Sequence, residues 1–202
     1  MELLYPRIKF ARLPAMIRVS LLGALLSGIY GAAHDQVSYS ISEEYFTKLK
    51  FQQFGYVDFG FPPRVFAAEV GFLASWWVGM IIAWLLARLG LTELAPPVRR
   101  TTTAIAFSIV FLFALVAGAC GLLLGIARSR SDDLSSWDSW ARVLQLDDLP
   151  NFVIVAYLHN GSYLGGLLGF IVAAVYVHRC VKLCRVTDTS ENLRVAALSR
   201  ER

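Results

Sequence analysis

Charge is the first thing in short supply. Only 17% of the 202 residues are charged, where a soluble domain of this size carries about a quarter. The shortfall is concentrated, because the apolar residues fall into four long blocks and leave no stretch large enough for a separate soluble domain. Cysteine is scarce too. Of the three, Cys120 lies inside an apolar block and Cys180 and Cys184 follow the last one. Two thiols next to a span are read as reduced and interior-facing, with a metal pair or acylation as the alternative. There is no Walker loop, no GxSxG elbow, no HExxH and no dinucleotide fingerprint, so the motif-bearing nucleotide, hydrolase and protease chemistries are excluded.

The residues present are 56% hydrophobic, with a mean hydropathy of +0.55. About 20 apolar residues cross a hydrocarbon core of roughly 30 Å. The four blocks predict spans at about 13–33, 65–89, 103–127 and 152–177. The expected fold is all-α: one integral membrane four-helix bundle, with outer loops at 34–64 and 128–151 and a tail at 178–202. Pro62-Pro63 and Pro150 stand just before the second and fourth spans, where a helix begins. The first span has a competing reading. Val19–Tyr30 could form the core of a secretory signal cleaved after Gly31-Ala32-Ala33, leaving three spans and His34 as the new N-terminus. The retained helix is favoured because the basic region before it is long.

Net charge is +4 with a pI near 9.1, but the bases flank spans instead of forming a nucleic-acid patch. Arg7, Lys9, Arg12 and Arg18 precede or enter the first span. Arg88, Arg99 and Arg100 surround the second turn, and Arg179, Lys182 and Arg185 follow the fourth span. The positive-inside rule then places both termini and the middle loop in the cytoplasm of a plasma or inner membrane. Both acidic, aromatic loops face outward. Ser40-Ile-Ser-Glu43 and Ser135-Ser-Trp-Asp138 resemble capping boxes and predict one short amphipathic helix in each loop. Quinone-linked disulfide-forming enzymes and claudin-like junction proteins share the span count but rely on external cysteine pairs, which this sequence lacks, so no family is assigned.

Small residues recur every fourth position in each span: Gly23, Ser27 and Gly31; Gly71, Ser75 and Gly79; Ala117, Gly121 and Gly125; Gly161, Gly165 and Gly169. In lipid, such stripes provide close helix packing, either within the chain or in a homo-oligomer or larger complex built on the second span.

Ionisable residues inside spans are costly and tend to be functional. His34, Glu69 and His159 are expected at similar depth, roughly 7 to 10 Å from the outer boundary, with Tyr30, Asp35, Asn160, Ser162 and Tyr163 near them. Two imidazoles and a carboxylate form a metal-ligand set. A haem iron clamped by the two histidines and a quinone or proton site are alternatives; with the signal cleaved, the α-amine and ring of His34 would form a chelating pair that suits copper. In the competing structural reading, His34 faces headgroups, Glu69 pairs with Arg64 and His159 bonds a neighbouring helix. The expected function is therefore binding or assembly at an outer polar pocket, with a membrane redox or metal-dependent enzyme subunit as the alternative. No cofactor is named by any motif.

Overall fold

The computed structural model describes residues 10–130 and 133–200, with side chains to residue 187. All regular structure among them is helical. Four helices are long and apolar enough to cross a membrane: α1 (Leu13–Ile41), α3 (Pro63–Arg88), α4 (Pro96–Ser129) and α6 (Leu149–Arg200). Two short ones, α2 (Phe51–Gln53) and α5 (Asp138–Leu144), lie in the long connections. Proline occupies the first turn of α1, α3 and α4, where its missing N–H would have had no intrahelical partner.

The long helices pack as two tight pairs, α1 with α3 and α4 with α6. The small-residue stripes form both seams. A Cβ added at Gly71 would stand 2.7 Å from the Gly31 carbonyl carbon and 2.9 Å from Asp35 Cβ. Gly79 meets Gly23 and Ser27 in the same way, and Gly31 meets Ser75. On the other side Gly161 lies against Ala117 and Gly121, Gly165 against Phe113, and Gly169 against Val110. The α3 stripe is thus filled by α1 within one chain. The two pairs then meet through larger side chains. One apolar cluster holds Leu86, Leu91, Phe107, Val177 and Val181; a second, at the opposite end, holds Tyr39, Tyr45, Phe46, Phe152 and Val155.

The ends of the bundle differ in charge. At the end where α1 begins, Glu93 of the α3–α4 turn binds both Arg12 and Arg185, tying three elements together. Burial alone would raise the Glu93 carboxyl, but the Arg185 and Arg12 hydrogen bonds hold it below its ordinary value. Gly90 takes φ +102° there, a conformation that needs a residue without Cβ. We call this the basic end and the other the loop end.

Four boundaries differ from the sequence reading. α4 starts at Pro96, seven residues before the expected 103. α1 runs eight residues beyond the expected Ala33, so His34 and Asp35 lie inside a helix. No glycine or proline stops it, and the Ser38 and Ser40 hydroxyls donate to the His34 and Gln36 carbonyls one turn back. The first loop cap is shifted by two residues: Ser40 belongs to α1, and Ser42 accepts the Tyr45 N–H instead. The last helix continues through 178 without a break. In the second loop, Asp133 accepts the Ser135 N–H, and a 3-10 turn, Ser135–Trp137, leads into α5.

Candidate functional site

Three elements converge at the loop end. α1 contributes His34, Asp35 and Ser38. α6 contributes His159, Ser162 and Tyr163. Above them lies a π-helical segment, Tyr45–Lys50, whose residues Tyr45, Phe46 and Lys50 are buried. A π-helical turn carries one more residue than an α-turn and recurs at functional sites. Here it directs two aromatic rings and a lysine toward the bundle.

The polar groups form two hydrogen-bonded runs that face each other across one gap. Lys50 Nζ donates to the Tyr163 hydroxyl at 3.4 Å, and that hydroxyl lies 3.3 Å from His159 Nδ1. His159 Nε2 stands 3.7 Å from Asp35 Oδ1. Asp35 Oδ1 is 3.2 Å from His34 Nδ1, and His34 Nε2 is 3.1 Å from Ser162 Oγ. Asp35, His159 and Lys50 are 3%, 2% and 8% exposed, so an acidic side chain, a lysine and an imidazole lie in a nearly dry interior beside the half-buried His34. The imidazole rings meet edge to face, with centroids 4.6 Å apart. Tyr45 stacks on His159 at 4.9 Å, and burial, then the nearby Tyr163 and Asp35, push its phenol above the ordinary value.

A latch holds this cover down. The Glu44 carboxylate accepts the backbone N–H groups of Asp147 and Asp148 and binds Lys48 Nζ at 2.6 Å. Lys48 also donates to Asp147 and to the Gln145 carbonyl. Burial would raise the Glu44 carboxyl, but Lys48 and the two backbone donors hold it down at about 2. The segment over the polar cluster is thereby fixed to the turn that starts α6.

One ligand atom each from His34, Asp35 and His159 lies within 4.8 Å of the other two. The histidines singled out from sequence are therefore together, and the carboxylate beside them is Asp35. Glu69 is not part of this cluster; its Oε2 is buried without a hydrogen-bond partner. Arg64, the cation expected beside Glu69, donates to Ser40 and lies over the Tyr39 ring. Asn160 is exposed on another face, in an apolar groove between α4 and α6 with Cys120 and Gly161. Sequence reading missed Lys50 and Ser38 and gave Asp35 a minor part. The signal for Asp35 was its spacing: positions 23, 27, 31 and 35 continue one small-residue stripe, so Asp35 faces the bundle. Lys50 carried no comparable signal, because a π-helical turn breaks the 3.6-residue register. No family model, no curated protein and no solved structure matches the chain.

Proposed function

We propose that the chain is a four-span integral membrane protein whose function is to bind a small ligand in the pocket at its loop end. On this reading the basic end lies in the cytoplasm, with both termini and the α3–α4 turn, and the pocket opens to the opposite side. Four helices of sufficient length and apolarity support the spanning reading. The grouping of Arg12, Arg88, Arg99, Arg100, Arg179 and Arg185 near one end supports the orientation.

The observation that carries the binding reading is the Lys50–Tyr163–His159–Asp35–His34–Ser162 set, in which Lys50, His159, Asp35 and Ser162 are buried while Tyr163 is exposed and His34 half-buried. Desolvating a carboxylate and an ammonium costs several kcal/mol per ion, and apolar side chains of the same volume hold helices together at least as well. Such a set is kept for what it binds. The triple variant Asp35→Leu, Lys50→Met, His159→Phe tests this: its melting temperature should equal or exceed that of the parent. A large loss would make the set of polar groups structural and sink the reading. Placement is tested separately in a background without native cysteines. Asp58→Cys should react with an impermeant maleimide on intact cells, and Thr101→Cys only after permeabilisation; the reverse pattern would overturn the orientation.

Assembly into a larger complex is a second reading, favoured by the exposed Asn160 amide in the apolar α4–α6 groove. Lipid tails offer an amide no partner, whereas a neighbouring helix does.

A further inference from the structure

We propose that the ligand is a first-row divalent transition-metal ion held by His34, Asp35 and His159, an inference that rests on the pocket being a binding site. Donors sharing one tetrahedral ion at about 2.0–2.1 Å stand about 3.4 Å apart. Asp35 Oδ1 already lies 3.2 Å from His34 Nδ1 and 3.7 Å from His159 Nε2. With all three donors inside 4.8 Å, side-chain rotation alone brings them to one centre.

The outer partners select which nitrogen binds. A ligating histidine donates its other N–H to a neighbour that fixes the ring. Ser162 Oγ stands at His34 Nε2 and the Tyr163 hydroxyl at His159 Nδ1, which assigns His159 Nε2 to the ion together with His34 Nδ1, now 3.2 Å from Asp35 Oδ1 and 3.4 Å from Ser38 Oγ. A serine hydroxyl both donates and accepts, so Ser162 serves His34 in either tautomer. His159 Nε2 is the decisive atom. It is buried, has no hydrogen-bond partner and is directed at a carboxylate too far away to bond. With Nδ1–H donated to Tyr163, a nitrogen lone pair and a carboxylate oxygen face each other, and a cation between them satisfies both.

Two imidazoles and one carboxylate suit zinc, cobalt, iron, nickel or copper, whereas calcium and magnesium take oxygen ligands. Three protein ligands leave one position open. Lys50 sits just beyond His159, donating to Tyr163, and its positive charge opposes any cation in the site. Cys180 and Cys184 lie more than 20 residues further along α6, about 30 Å away, and are not ligands.

The test uses the full chain, purified in detergent and stripped of metal, titrated with Co²⁺ and followed by visible absorption. One equivalent should bind with the intense bands of four-coordinate cobalt, and Zn²⁺ should displace it. His34→Ala, Asp35→Asn and His159→Gln should each weaken binding by more than the ~10–100-fold that an outer partner is worth, and Tyr163→Phe by about that amount. Lys50→Met should tighten binding by on the order of tenfold, a gain that misfolding cannot produce. Glu69→Gln and Cys180→Ser/Cys184→Ser should leave it unchanged within twofold. A folded chain that binds no more cobalt or zinc than Asp35→Asn overturns the assignment, as does binding lost with the cysteines. Failure here with the triple variant stable and the labelling as expected overturns the metal alone. A destabilised triple variant removes the pocket reading on which it rests.

Discussion

Gly71→Ala should loosen the α1–α3 seam and, through it, the site. The new Cβ would sit 2.7 Å from the Gly31 carbonyl carbon and 2.9 Å from Asp35 Cβ, against about 3.5–4.0 Å for carbon atoms in contact. These atoms are backbone and a Cβ of α1, neither of which can swing away, so the helices must part by about 1 Å. A gap of that size forfeits a quarter to a half of each contact across the seam, and overpacking of this kind costs roughly 1–3 kcal/mol. For a chain of this length that is a fall in melting temperature of about 3–10 °C, read by a thermal melt in detergent. Asp35 is one turn from Gly31, so the same shift displaces its carboxylate from its present position beside His159 and should weaken cobalt binding. Gly166→Ala is the control: its Cβ meets nothing within 4 Å, so the substitution should leave cobalt binding unchanged and the melting temperature at or slightly above the parent's. Equal melting temperatures for Gly71→Ala and Gly166→Ala would refute the close-seam reasoning.

The Glu44 latch carries a pH dependence with a defined sign. Its carboxyl lies at about 2 in the folded chain against an ordinary 4.5, so the stabilisation is complete above about 4.5 and is lost as pH falls toward 2. Protection factors of the Asp147 and Asp148 amides, corrected for the intrinsic rate at each pH, should fall across that window, and Glu44→Gln should remove the dependence and loosen the latch by about 2 kcal/mol. Gln145 ends α5 at φ +52°, a conformation that favours glycine, so Gln145→Gly should raise stability by about 0.5–1 kcal/mol. No gain in a thermal melt would contradict the strain. Gly90→Ala, at φ +102° and with Val181 Cγ1 3.0 Å from the new Cβ, should cost about 1–3 kcal/mol, measured the same way.

The four long helices were legible because runs of apolar residues of that length have few other uses, and Pro62-Pro63 and Pro150 mark two of the helix starts. The seams were legible from the fourfold spacing of Gly71, Ser75 and Gly79 and of Gly161, Gly165 and Gly169. What spacing could not tell is which stripes meet: α1 could have used α6 as readily as α3. The site was half legible. Depth along a span brought out His34 and His159, but depth says nothing about azimuth, and Glu69 lies about 200° around its helix from Ala67, off the small-residue stripe. The end of α1 was misread because Asp35 and Ser38 look like loop residues until α6, more than 120 positions away, provides His159 and Ser162 beside them. Lys50 enters through a π-helical turn, for which the sequence has no periodic mark.

X-ray absorption at the zinc edge of the zinc-loaded, full-length chain tests the central claim most directly. Two imidazole nitrogens and carboxylate oxygen at about 2.0–2.1 Å, with the outer-shell pattern of imidazole rings, is the predicted first coordination sphere, and His159→Gln should remove one ring from it. Sulfur at about 2.3 Å, or a shell of oxygen alone, would contradict it.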